Sequence, residues 1–170
     1  MDAEKRRAAI LRRLEVEESP VSASVLAGEF SVSRQIIVGD VALLRAGGAD
    51  ISATPRGYVL ARTVQGILRT VACRHDLSGT REELYILVDN GCSVLDVVVE
   101  HAVYGQLVGQ LQLSSRYDVD QFMDRLGSEG NKPLSTLTEG IHLHTLRCPD
   151  EAAYERARDA LRRAGYLLED

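Results

Sequence analysis

The stretch Leu137–Leu146, "LTEGIHLHTL", places His142 and His144 two residues apart among Ile141, Leu143 and Leu146. Apolar residues alternating with other types make a strand, and on a strand positions i and i+2 point to the same face. Two imidazoles side by side are half of a metal site. Neutral imidazole binds Zn, Ni, Cu or Fe, and one carboxylate can complete the set. His75 closes an earlier apolar run, and Glu82 and Glu83 fall in the first turn of the helix expected after it. The competing reading is a pair of strand histidines that only hydrogen-bond in a core. Spacing alone does not separate the two.

The elements that would hold these residues occupy the chain from residue 63 onward. The patterning predicts a strand at about 66–75 and a helix at about 80–90 with Leu84, Leu87 and Val88 inward. Strands at 94–100 and 106–113, a helix over 119–126, the histidine strand, a helix at 150–164 and a final strand "YLLE" complete the set. This β-α-β-β-α-β-α-β order implies one sheet with helices on a face, an α/β sandwich within an α+β protein. No GxGxxG, P-loop, GxSxG or HExxH motif occurs, so no phosphate cradle or familiar hydrolase signature competes for the function, and no catalytic residue is assigned.

Residues 1–62 read differently. A first helix at about Ala3–Glu15 turns Ile10, Leu11 and Leu14 to one side and Lys5, Arg6, Arg7, Arg12 and Arg13 to the others. After Pro20, a second helix capped by Ser22 is expected to face inward with Val25, Leu26 and Phe30. A short turn ending in Ser33 leads to a third helix with Ile37, Val41 and Leu44 at i, i+4, i+7, ended by Gly47-Gly48. That is a helix-turn-helix, and its third helix would offer Ser33, Arg34, Gln35 and Val38 to a major groove. "DISATPRGYVL" then folds as a hairpin wing with Arg56 at its tip, near a phosphate or the minor groove. Any small three-helix domain shares part of this periodicity. The hairpin, the capped third helix and the basic tip together favour DNA binding.

Charge agrees with this division. Residues 1–62 carry a balance of +1 and residues 63–170 one of −6, for a net charge of −5. Only the first third is expected to meet a polyanion. Cys73, Cys92 and Cys148 are an odd set without CxxC spacing, which suits reduced thiols in a cytoplasm. The opening "MDAEKRRAAILRRLEVEES" is too charged and periodic for a signal peptide, and no apolar run reaches a membrane span, so a cytoplasmic location is expected.

"FSVSRQIIVGDVALLRAGG…ISATPRGYVL", "ILVDNGCSVLDVVVEHAVYGQL" and "PLSTLTEGIHLHTL" resemble the niacin-responsive repressors of NAD biosynthesis, and the resemblance covers nearly the whole chain. The resemblance implies a winged helix-turn-helix followed by a three-histidine (3H) domain for ligand binding and dimerisation. It implies a homodimer that represses genes of NAD biosynthesis or niacin uptake, binding double-stranded operator DNA when nicotinic acid (or nicotinamide) is abundant. One divalent transition metal per chain, nickel or zinc, is implied as well, with His75, Glu83, His142 and His144 as the matching ligands. His101 in "VEHAVYG" matches a further family histidine, and with Tyr104 it is a candidate for the effector. The family pattern has a polar residue where Gly39 stands. Glycine there costs a helix about 0.5–1 kcal/mol relative to alanine and removes a potential base contact, so the relatives' operator need not transfer.

Two other functions compete. Three His and one Glu with an open position also describe a small metal hydrolase or oxygenase, but that leaves the DNA-binding domain unexplained. Biotin protein ligases can carry a similar first domain, yet 108 residues are too few for their catalytic part. In the third reading the metal itself is the effector of a metal-responsive regulator.

Overall fold

The structure is a computed structural model that describes residues 2–61, 66–128 and 130–169. The chain forms two compact units, Met1–Thr63 and Val64–Asp170. The domain boundary expected at 62/63 lies within 62–65, outside the described residues.

The first unit contains α1 (Ala3–Val16), α2 (Ala23–Phe30), α3 (Arg34–Ala46) and a hairpin of β1 (Ile51–Thr54) and β2 (Gly57–Leu60). Each helix starts where a side chain can accept an orphan backbone N–H: Asp2 from Lys5, Ser22 from Val25, Ser33 from Ile36. Ile10, Leu14, Leu26, Ile37 and Val41 are buried together as its core. Val25, expected inside, is 48% exposed. The buried stripe of this short helix is Ala23, Leu26 and Ala27 at i, i+3, i+4, and residue 25 falls on the opposite side of it.

Arg6, off the apolar face of α1, is half-buried. Its Nε donates to Asp40 Oδ2 at 2.6 Å, with side chains only 13% and 5% exposed. The pair ties α1 to α3, because a buried carboxylate without a partner is strongly destabilising. Val21 and Tyr58 exchange both backbone hydrogen bonds, at 2.9 and 2.8 Å, stitching β2 to the segment before α2. Gly57 permits this approach: at φ +142°, an added Cβ would stand 2.4 Å from the Val21 carbonyl carbon.

The second unit contains β3 (Ile67–Arg74), α4 (Thr80–Asp89), β4 (Ser93–His101), β5 (Gly105–Leu113), α5 (Arg116–Ser128), β6 (Ile141–Cys148) and α6 (Glu151–Ala164). The strands make one antiparallel sheet in the order β3-β6-β4-β5. Leu84 and Leu87 from α4, Val119 from α5, and Ala157 and Leu161 from α6 pack with Val71, Val94, Leu113 and Leu146 of the sheet. The fold is therefore α+β, a helix-turn-helix unit followed by an α/β sandwich.

The expected last strand is reduced to one bridge, Leu167 against Cys73. Gly165, at φ +78°, caps α6, and the Tyr166 carbonyl and the Leu168 N–H bond to the outer edge of β3. Among the described residues no helix is long and apolar enough to cross a membrane.

Candidate functional site

The register of β3 on β6 sets Cys73 opposite His142 and Val71 opposite His144. Alternation then carries Val71, Cys73 and, just past the strand end, His75 to the same face as His142 and His144. That face is buried. Asp76 caps a 3-10 turn (Leu77–Gly79) through the Ser78 N–H, and this turn leads into α4 with Glu83 directed at the sheet.

Glu83 is 1% exposed, and three imidazoles converge on it. His75 Nε2 lies 2.6 Å from Oε2, His142 Nε2 3.0 Å from Oε1, and His144 Nε2 3.3 Å from Oε1. Glu82 points away and accepts the Tyr166 hydroxyl. Of the two carboxylates the sequence offers, the fold brings in Glu83.

The other ring nitrogens face carbonyls. His75 Nδ1 is 2.7 Å from the Asp76 oxygen, His142 Nδ1 2.8 Å from that of Gly140, and His144 Nδ1 2.6 Å from that of Asp96. A carbonyl can only accept, so each Nδ1 carries a hydrogen. In the neutral ring each Nε2 then presents a lone pair to a carboxylate, acceptor against acceptor. Such an arrangement is stable only with protons or a cation between them. Two ligand atoms each about 2.0–2.1 Å from one cation stand roughly 3.0–3.4 Å apart, close to the spacings of His142 and His144 from Glu83. The donor set fits a borderline divalent metal.

Without a cation, protons fill the role. Burial opposes charging His75 and His144, but the Glu83 carboxylate outweighs it and both titrate above the usual 6.5. Burial likewise disfavours the Glu83 anion, yet the three imidazoles hold it well below its ordinary 4.5.

Two supporting residues carried no recognisable signal as single letters. Gly140, at φ +89°, lets the start of β6 abut His75: an added Cβ would stand 2.3 Å from the His75 carbonyl oxygen. Asp96 holds His144 through its backbone. A third, Cys73, is fully buried, and one ligand atom each from Cys73, Glu83 and His142 lie within 4.8 Å of one another. A cavity of about 240 Å³ adjoins the cluster, lined by His75, Asp76, Leu77, Ser135, Thr136, Glu139 and Gly140.

His101 and Tyr104 are not drawn into this cluster by its hydrogen bonds or ring contacts. They stack on each other at 5.2 Å in the β4–β5 turn, where His101 Nδ1 accepts the N–H groups of Val103 and Tyr104.

In the first unit, Arg34 and Gln35 are exposed in the first turn of α3, and Val38 is half-buried. Ser33 is exposed, but its hydroxyl oxygen accepts the Ile36 N–H at 3.3 Å. Gly39 is exposed too, with nothing within 4 Å of an added Cβ. Arg56 sits half-buried in the β1–β2 turn, its backbone N–H donating to Thr54 Oγ1 at 3.2 Å. Arg45 was not anticipated: its Nε donates to the Ile51 carbonyl at 2.7 Å, and its guanidinium stands 5.8 Å from the Tyr58 ring. It braces the C-terminal end of α3 against the hairpin.

A helix-turn-helix and hairpin in one unit and a buried three-histidine sandwich in the other define a class of two-domain regulatory protein. Residues 6–59 match an HTH domain, and residues 68–170 match the 3H domain. The chain is 45% identical over 167 residues to the probable transcription repressor NiaR of Thermotoga maritima, covering 98% of this chain and 95% of that protein. It is 42% identical over 169 residues to the transcription repressor NadR of Bacillus subtilis, covering 97% and 94%. The chain belongs to this family of HTH-plus-3H proteins. One of these two relatives is named a probable transcription repressor and the other a transcription repressor, and the hydrolase, oxygenase and biotin ligase readings are set aside.

Proposed function

We propose that this chain is a homodimeric transcriptional repressor of NAD biosynthesis or niacin uptake genes, with nicotinic acid as corepressor at a transition-metal site. The observation that carries the reading is the convergence of three imidazole Nε2 atoms on buried Glu83 while every Nδ1 is committed to a carbonyl. The names of the two relatives support the regulatory half of it.

His75, Glu83, His142 and His144 hold the metal, nickel or zinc. When bound, the metal would supply Lewis acidity toward the pyridine nitrogen or carboxylate of nicotinic acid. The chain's own residues do the rest. The carbonyls of Asp76, Gly140 and Asp96 fix each ring's tautomer and direction, which keeps the Nε2 atoms aimed without a search through rotamers. His75 borders the 240 Å³ cavity and His142 a second one of about 360 Å³, and these are the two approaches open to the effector.

At the other end, Arg34 and Gln35 read base edges in the major groove, Ser33 and Val38 flank them, and Arg56 contacts the backbone or minor groove. A dimer must hold two such helices roughly 34–36 Å apart. The outer face of the sheet, where Leu68, Val108 and Ile141 are 58%, 51% and 40% exposed, is the surface offered for pairing.

A DNA-shift titration of the nickel- or zinc-loaded chain, with and without nicotinic acid, tests the reading. Operator affinity should rise with nicotinic acid in the loaded protein and not in metal-stripped protein. Retardation that follows metal alone would make the metal itself the effector.

A further inference from the structure

We propose that Cys73 is a further ligand to the same metal, a thiolate beside the imidazoles and the carboxylate, making the centre a mixed N/O/S site. The inference rests on the metal reading above and concerns a residue that reading does not use.

Three observations converge on it. Cys73 is the cross-strand partner of His142. Partners directly opposite on antiparallel strands point to one face with Cβ atoms about 4.5–5.5 Å apart, and the thiol shares that face with every histidine of the cluster. Its sulfur, a Glu83 carboxylate oxygen and a His142 ring nitrogen fall within 4.8 Å of one another, and all three residues are buried. The other two cysteines are occupied elsewhere: the Sγ atoms of Cys92, just before β4, and Cys148, at the end of β6, face each other at 2.8 Å.

The bland alternative is a small core residue that merely packs, as buried cysteines often do. Packing asks only for volume at position 73. A neutral thiol can also donate to Glu83, and this with burial keeps it protonated while no cation is bound; its register with His142 is what turns it to the same cation-shaped gap. The consequence is chemical. A thiolate is a soft ligand, and adding one to His and Glu shifts preference toward zinc or cobalt and away from oxygen-seeking magnesium or manganese. The thiol proton leaves to solvent as the metal–sulfur bond forms.

Cobalt(II) is the probe, in the full-length protein. Cobalt bound by any of these donors shows visible d–d bands, and cobalt bound by a thiolate adds an intense near-ultraviolet sulfur-to-metal charge-transfer band. The wild type should show both. Cys73→Ser should keep the d–d bands and lose the charge-transfer band, and a Cys92→Ser/Cys148→Ser variant should retain both. Zinc affinity in Cys73→Ser should fall by more than the ~10–100-fold typical of removing an outer partner. Cys73→Ala is the second variant if serine perturbs folding, with circular dichroism as the check.

Visible bands in the wild type without a charge-transfer band would overturn the Cys73 proposal and leave the His/Glu site intact. A charge-transfer band that vanishes in Cys92→Ser/Cys148→Ser and persists in Cys73→Ser would overturn it too. Absence of every cobalt band in folded wild type would instead refute the metal reading on which both stand.

Discussion

His144 Nδ1 donates to the backbone carbonyl of Asp96 at 2.6 Å, while the Asp96 carboxylate accepts the Thr145 N–H at 3.0 Å. One residue of β4 thus holds two consecutive residues of β6. The register explains how. Between Val94, paired with Leu146, and Val98, paired with Leu143, β4 spends one residue more than β6. The extra residue is a bulge, which breaks the ladder locally and re-aims what it carries. The aspartate side chain replaces the lost ladder bond to Thr145, and the backbone carbonyl turns to the imidazole.

Asp96→Ala should leave the Thr145 N–H without its acceptor, at a cost of about 1–3 kcal/mol in stability. Metal affinity should fall roughly 10–100-fold through the loosened His144. Denaturant unfolding and metal titration check the two parts. Unchanged metal affinity in a measurably destabilised variant would show that His144 needs no such brace.

Gly140→Ala should be worse than a glycine-to-alanine change in an ordinary loop. The position has φ +89°, and the new Cβ would meet the His75 carbonyl oxygen at 2.3 Å. His75 or the start of β6 must move, so metal binding should drop sharply even where the fold survives. Alanine at Gly105, also at positive φ (+71°) but with nothing within 4 Å, is the control for backbone strain alone. Equal metal loss in both variants would remove the special role given to Gly140.

The buried cluster makes the metal-free protein pH-sensitive in a defined direction. His75 and His144 have folded pKa values raised above 6.5, against burial, by Glu83. Their stabilisation is complete below 6.5 and is lost as pH rises through the raised values. Glu83 is depressed below 4.5, so its contribution is present above 4.5 and fades only as pH falls through the depressed value. Metal-free protein should therefore be most stable between the two ordinary values and should lose stability as pH rises above 6.5 through the raised histidine values. Metal-loaded protein should show the reverse over that range, because the ligands must be neutral to bind. Thermal melts with and without chelator read this directly. Identical pH profiles for both samples would mean that no cation occupies the cluster.

DNA binding should depend on Arg34 and Gln35 in a base-specific way, each alanine costing about 1–3 kcal/mol on the operator and little on unrelated DNA. Arg56→Ala should weaken all sequences alike and reduce the salt dependence. An Arg34→Ala protein with full operator affinity would move the reading face elsewhere on α3, whose exposed side also includes Ile36 and Leu43.

The legible parts of this protein were those written at the period of their element. The serine caps at 22 and 33, the alternation of "IHLH" and the apolar positions of α3 and α4 all follow from local geometry. Glu83 rather than Glu82 follows once α4 must bury Leu84, Leu87 and Val88. What escaped depends on tertiary neighbours. Val25 is apolar yet lies off a three-residue stripe, and Arg6 is charged yet half-buried because Asp40 waits on another helix. Cys73 looked like an isolated thiol because its relation to His142 is 69 residues away in sequence and directly across in register. Asp96 acts through a bulge that no letter announces.

The most direct test of corepression is calorimetric. Nicotinic acid must bind the DNA-competent state more tightly than the alternative, since equal affinity for both would shift nothing. Linkage then requires operator DNA to tighten nicotinic acid binding by the same factor that nicotinic acid tightens DNA binding. Nicotinic acid affinity should be measured with the metal-loaded protein in the presence and absence of operator. An increase of roughly 5–150-fold with DNA, corresponding to a typical coupling of about 1–3 kcal/mol, is predicted, together with weak or no binding after metal is stripped. The same affinity with and without DNA would contradict the account.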